Sequence, residues 1–539
     1  MDHRRVRPRR QEGLSPAGAP AQHSSFFKRR TALWFWCGVF FFAAVCVNAC
    51  GPATPKPEPA TNVLRIGVPE STAGGANVGV RELTAGFTLQ GLTQVGVDGK
   101  AAPRLAEKWT WENGFRSLRL TLRSGVTFHD GTALNSARVA TALRQLVSRP
   151  GNQALYPSLS DITEIRPNGE LELVIDLSRP SAFLPEDLDL SLGIGSETGP
   201  YQPVGGTAPE VAFERFEGYY LGTPKIARIE VRPFDTLRTA WTSLLRGELD
   251  MVTDVPPDAV QFIGSDDIQI ISFERRYQYL IAFNSKKSPF DKAAVRRALN
   301  LAVNRDALVK NVLQGRGTSS TGPLWPTYWA YDRSVAPYSF DPALAMSLLD
   351  GAGYEAGGAP RSSESETSSA RLRFTCLIPA GFAIWERIAL EVQKNLYAIG
   401  VDMQFKVVPV QEFDTLFREG SFDAALIDMI SGPTPSRAYI FWQSARRHKG
   451  LNIFGYENPE AERLFEVLRS DTNEGAVRST TRRLQTVFLD DPPALFLAWS
   501  QRTRAVRRDF QIVQEPNRDP LLTLWRWTPS AGTPANSTP

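Results

Sequence analysis

Residues 372–435 read LRFTCLIPAGFAIWERIALEVQKNLYAIGVDMQFKVVPVQEFDTLFREGSFDAALIDMISGPTP, and their periodicity decides the fold. Leu372, Phe374, Cys376 and Ile378 fall on one face of a strand. After a helix, Val401, Met403, Phe405 and Val407 alternate with Asp402, Gln404 and Lys406 in a second strand. Between them Ile384, Ile388, Val392, Leu396 and Ile399 recur at helical spacing, and Gly400 is the residue that most readily ends a helix in the left-handed conformation. A second helix carries Phe413, Leu416 and Phe417, stops at Gly420 and returns to the apolar run Ala424–Ile427. This is a parallel α/β lobe. Such sheets hold ligands at the carboxyl ends of their strands, where loops and helix N-termini converge with unpaired backbone donors. The loops at that end are Pro379–Phe382 and Asp428–Ser436, and Ser431-Gly432-Pro433-Thr434-Pro435 is expected to form one wall of a ligand site.

Outside that lobe the chain is long enough, at 539 residues, to need two or three domains, and 42% apolar against 22% charged residues is a globular balance. The formal charge of +4 misleads. Residues 1–49 hold eight of the Lys/Arg and two of the Asp/Glu, leaving 53 basic against 55 acidic residues beyond them. A near-neutral body has no basic stripe for a nucleic acid.

The leader carries Arg4, Arg5, Arg7, Arg9, Arg10, Lys28, Arg29 and Arg30, then an uncharged run from Thr31 to Ala49, then Cys50. That order is an export signal or a retained transmembrane anchor. Val47-Asn48-Ala49-Cys50-Gly51 resembles the lipobox of bacterial lipoproteins, which implies lipidation at Cys50 and a membrane anchor for an exported protein in the periplasm or on the cell surface. The Pro-rich run 51–61 would be its tether. Cys37 and Cys46 lie in the apolar run, so Cys376 is left without an intrachain partner and, on an apolar strand face, is a core residue.

Further along, Leu105-Ala106-Glu107-Lys108-Trp109, the alternating strand Leu118–Arg123, and Gly125-Val126-Thr127-Phe128-His129-Asp130-Gly131 resemble the signature of family 5 extracellular solute-binding proteins, the peptide, oligopeptide and nickel group of ABC importers. More matches follow in family order: Thr198-Gly199-Pro200-Tyr201, Phe216–Lys225, the strand Tyr277–Asn284, the helix pattern around Val295–Arg305, and the return strand Ala494–Trp499. The resemblance implies a bilobal periplasmic-binding-protein fold, two α/β lobes joined by two crossing strands, with an extra β-rich subdomain in the N-terminal half. The expected division is a leader over 1–49, a tether over 50–61, and a first lobe over 62–276 with its β-rich part at about 90–200. A second lobe over 277–493 carries a disordered insert at about 355–370, the return to the first lobe covers 494–528, and 529–539 is a disordered tail.

The implied function is capture of an oligopeptide or other polar solute in the interlobe cleft by a monomer that delivers it to ABC permease subunits, without cofactor or catalysis. A solute sensor or chaperone on the same fold is the alternative. A secreted hydrolase fares badly: beyond the leader there are only His129, in a turn, and His448, in a basic loop, and there is no G-x-S-x-G or H-E-x-x-H. Few histidines and one thiol also disfavour a metal chelate.

The expected ligand-binding residues are Glu70, Ser71 and Thr72 from one lobe and Phe382, Asp428, Ser431 and Thr434 from the other, with Tyr279, Trp325 and Trp499 as aromatic walls or hinge packing. Peptide binders of the family carry W-x-x-D-Y after the strand matching Ala424–Ile427, and its aspartate pairs with the peptide ammonium. Here Met429 and Gly432 stand at the tryptophan and aspartate positions, so Glu70 or Asp428 would have to substitute.

Overall fold

The computed structural model describes residues 62–69, 76–193, 197–205, 210–260, 266–355, 370–445 and 451–530. The leader, Cys50, the tether, most of the Ser/Gly-rich insert, the tail from 531 and His448 lie outside the described residues. The chain divides into two units, Met1–Glu58 and Pro59–Pro539, and the fold is that of the second.

Among the described residues an eleven-stranded sheet runs through this unit. At one end Val63–Pro69 pairs in parallel with Arg228–Phe234 and Met251–Val252. At the other, Leu372–Pro379 pairs in parallel with Val401–Val408 and Ala424–Ile430. The middle is made of two long strands, Ile268–Phe283 and Ala494–Arg507, antiparallel to each other, which carry the chain from one α/β lobe to the other and back. The fold is therefore bilobal. The first crossing starts at Ile268 rather than Tyr277, and the return runs on to Arg507.

Their ladder is interrupted twice, by a one-residue shift between Tyr279 and Leu280 and by a wider break in mid-course. Glu274 faces Gln501 and Gln278 faces Trp499, so Arg275, Arg276 and Tyr277 stand against the single residue Ser500. Extra residues on one strand of a pair bend it and re-aim side chains.

The second lobe follows the periodicity closely. Ile388, Val392 and Leu396 on the helix Ala383–Tyr397 are buried against Phe374, Cys376 and Met403, and Gly400 has φ +80°. Val407 departs from the pattern. Val401–Val408 is the sheet's outer strand, and at its far end Val407 is 48% exposed while Val408 is covered. In the first lobe the helix Leu237–Leu245 buries Ala240 and Leu244, whereas Leu245 faces solvent despite its apolar side chain. The helix Ala293–Leu301 opens at Lys292 with no side-chain cap.

The β-rich part is a four-stranded antiparallel sheet of Ala106–Glu112, Ser117–Leu122, Glu172–Leu177 and Ile162–Pro167. Asn135 caps the helix Ser136–Val147 by accepting from Arg138 N at 3.0 Å. His129 is held in its turn by Gly199 O at 2.9 Å and by Glu197 at 3.7 Å. This subdomain packs on the second lobe. Arg179 pairs with Glu466 at 3.0 Å, Ala182 N donates to Arg469 O at 2.6 Å, and the buried Arg469 guanidinium reaches Asp161 and Pro157 O.

Candidate functional site

A cavity of about 420 Å³ lies where the two lobes meet. The crossing strand supplies its floor at the ladder interruption, with Arg275, Arg276 and Tyr277. The first lobe adds Glu82 from the helix Ala76–Thr88, Arg502 from the return strand, and the segment Asn517–Asp519. From the second lobe come Trp325, Ile430 and Pro433.

One side is closed by the hairpin Thr93–Val95 and Ala101–Pro103, whose tip contributes Gly96 and Val97. The tip is fastened to the second lobe: Val97 O accepts from Trp325 Nε1 and Thr327 Oγ1, both at 3.0 Å, and Trp329 N donates to Asp98 O at 2.9 Å. Lys100 pairs with Glu474 at 2.9 Å and sits 4.5 Å over the Trp329 ring. Gly99 has φ +78°, and a Cβ there would meet Pro433 O at 2.5 Å, so the turn admits only glycine.

The lining is charged and largely cross-paired. Arg275 bonds Asp428 at 2.7 Å and lies 4.5 Å from the Tyr277 ring. Burial alone would depress the Arg275 guanidinium, but Asp428 and Asp254 outweigh it and hold its pKa above the usual arginine value. Arg276 bonds Asp189 at 3.3 Å, Arg502 lies between Glu82 at 3.8 Å and Asp254 at 3.5 Å, and Asp519 is bonded by Arg504 at 2.8 Å. Burial raises the Asp189 pKa despite Arg276. Glu274 differs: among the described residues its carboxylate meets the Thr318 hydroxyl at 3.4 Å and no cation, and burial raises its pKa.

Of the residues expected from sequence, Trp325 lines this cavity. Trp499 stands behind it, ring edge to face at 4.6 Å and 84°. Asp428 does not line it and is committed to Arg275, although its Oδ1 is buried without a hydrogen-bond partner among the described residues. The loop 431–435 touches the cavity through Pro433, but its hydroxyls turn inward: Ser431 Oγ donates to Met429 O at 3.3 Å, and Thr434 Oγ1 bonds Ser436 Oγ at 2.7 Å. Tyr279 packs against the second-lobe core, and Phe382 stacks on Trp385 at 5.1 Å, both away from the lining. Glu70, Ser71 and Thr72 lie outside the described residues. Sequence reasoning missed Arg275, Arg276, Arg502 and Arg518. A signal existed in ISFERRYQYLIAF, where two adjacent arginines break an apolar strand, and in Arg502 and Arg504 on the return strand.

Gly432 accounts for the absent ammonium anchor. A Cβ on it would come within 2.5 Å of the Trp325 indole, so an aspartate has no room there. Among the described residues no group of His, Cys, Asp and Glu is arranged to hold a metal, and no helix is long and apolar enough to cross a membrane.

Comparison with known proteins gives a consistent result. The bacterial extracellular solute-binding proteins, family 5 Middle, match residues 100–450. The glutathione-binding protein GsiB of Salmonella typhi is 32% identical over 306 residues, covering 52% of this chain and 59% of the relative, less than two thirds of its length. GsiB of Pectobacterium atrosepticum is 31% identical over 459 residues, 78% of this chain and 85% of the relative. In fold, NikZ from Campylobacter jejuni, solved in complex with Ni(L-His), superposes with a TM-score of 0.71 at 19% identity over 87% of this chain and 99% of that one.

Proposed function

The chain belongs to the bacterial extracellular solute-binding proteins of family 5, and from that premise we propose that it captures a small polar solute in the interlobe cavity and delivers it to the permease of an ABC importer. The observation that carries this reading is the cavity itself. It is bounded by both lobes and floored by the crossing strand where its ladder is interrupted. A ligand there touches every part whose relative position sets the angle between the lobes, which is how binding can favour a closed form that a permease recognises.

A peptide-like or zwitterionic solute suits the lining. Arginines and carboxylates alternate around it, Glu274 has no cation of its own among the described residues, and the curated relatives above are named for glutathione. A binding role without catalysis fits the same surroundings: His129 is tied into a turn and Cys376 is sealed in the core. Export and lipidation at Cys50 with removal of the leader, both resting on the lipobox-like Val47–Gly51, and a monomeric state complete the proposal.

The test is native mass spectrometry of protein purified without refolding, followed by calorimetric titration of the stripped protein with glutathione and with any co-purified solute. One molecule bound per chain is the expected result. A protein that carries nothing and titrates with nothing from a broad pool of amino acids, peptides and organic acids is not a solute receptor.

A further inference from the structure

Two of the cavity's arginines share a partner. Arg276 Nη2 donates to Val95 O at 3.1 Å, and Arg518 Nη2 donates to the same oxygen at 3.3 Å. They arrive from unrelated parts of the chain, one from the interrupted crossing strand and one from the segment after the return strand, and both line the cavity. Two like charges that donate to one neutral oxygen can be no further apart than those two bond lengths together. Such an arrangement is self-repelling unless negative charge is supplied. The protein supplies some of it from behind: Arg276 Nη1 goes to Asp189 at 3.3 Å and Arg518 Nη1 to Glu515 at 2.7 Å. Neither Nε makes a hydrogen bond among the described residues, so each fork keeps donors in reserve. Gln94 and Asn517 line the cavity as well, and because Gln94 Oε1 already accepts from Arg104 at 2.9 Å, its amide NH₂ is left to donate.

The other two cavity arginines are differently placed. Arg275 is closed in its pair with Asp428, and Arg502 is flanked by two carboxylates. Planar guanidinium forks set side by side match an oxyanion, which accepts several short charge-assisted bonds at once. We infer that Arg276 and Arg518 form an anion subsite, and that the solute this protein captures carries a carboxylate or other oxyanion received there. The inference rests on the solute-capture reading above and names the chemistry of its ligand.

To test it, the stripped wild-type protein is offered a pool of amino acids, di- and tripeptides, glutathione, organic acids, polyamines and neutral sugars, and the retained compound is identified by native mass spectrometry. That compound, and derivatives in which each anionic group is blocked in turn as an amide or ester, are then titrated calorimetrically. The subsite predicts a retained compound with an oxyanion, one blocked derivative of which binds wild type roughly ten- to a hundred-fold more weakly. Arg276→Gln and Arg518→Gln should each weaken the unblocked compound by a similar factor, and that blocked derivative should lose little more on either variant. Arg483→Gln, on a distant exposed helix face paired with Glu460, should bind as wild type. If the variants do not fold, the blocked derivatives on wild type decide the matter. A retained compound without an anionic group, blocked derivatives that all bind wild type unchanged, or folded arginine variants with unchanged affinity would overturn the subsite and leave solute capture standing. Retention of nothing from the pool would overturn both.

Discussion

Gly432 and Trp325 fill one packing position between them: a Cβ built on the glycine would lie 2.5 Å from Cε3 of the indole. The tryptophan has little freedom to yield, since its Nε1 is bonded to Val97 O and its ring abuts Trp499. Gly432→Ala is therefore expected to destabilise by about 1–3 kcal/mol, the usual cost of overpacking. Most of that should vanish in a Trp325→Ala background, where the clash is gone. Thermal melts of the four proteins in this cycle check it, and additive losses would show that the two residues do not compete for space.

Asp428 and Arg275 form the ion pair beside the cavity floor, with side chains 13% and 21% exposed. Removing one member of a fully buried pair costs about 3–5 kcal/mol. With some solvent reaching both groups, Asp428→Asn should lose about 2 kcal/mol. Arg275→Met on top of it should recover part of the loss, because the guanidinium no longer lies without its counter-ion. Urea melts of the single and double variants measure this.

Stability should fall as pH rises from about 5 to about 8. Glu186 and Asp187 sit where the β-rich subdomain meets the second lobe. Burial pushes Glu186 up to about 8 and Asp187 up to about 6, the latter against the pull of Arg437 and the Ser158 amide. The folded protein then holds protons that the unfolded chain has released, so the slope of stability with pH is negative between the ordinary carboxylate range and about pH 8. The contribution is fully present below the unfolded pKa and is lost as pH passes the folded values. Glu186→Gln should flatten the melting temperature across this window, by an amount on the order of a few kcal/mol of stability at pH 8. A variant whose melting profile keeps the wild-type slope would show that Glu186 is not the titrating group.

Cys376 should resist thiol reagents in the native state and react once the protein is unfolded. It is 0% exposed, and burial pushes its thiol up to about 12. Labelling with an aromatic disulfide at pH 8, with and without denaturant, distinguishes this from a reactive thiol.

The lobes were legible in sequence because each of their elements carries its own period. Ile388, Val392 and Leu396 lie at helical spacing and Phe374 and Cys376 at strand spacing, and all are buried. Val407 and Leu245 had the same hydrophobicity but no neighbour to cover them, since an outer strand end and a helix flank are decided by what packs alongside. The cavity was less legible. Its floor is a ladder interruption, and a bulge is a property of two strands, here residues 275–277 against Ser500, which neither strand announces alone. The loop expected as a wall through Ser431 and Thr434 meets the cavity through Pro433, and its hydroxyls find partners within the loop.

The interruption in the crossing strand also has a mechanical meaning. A ribbon of paired strands flexes most easily where its rungs are missing, and in this protein the wider such place holds Arg276, which also lines the cavity. On the proposed reading, Arg276 belongs both to the joint and to the anion subsite. A solute held by Arg276 would act as a splint across the joint, so that occupancy and the angle between the lobes would be two readings of one event.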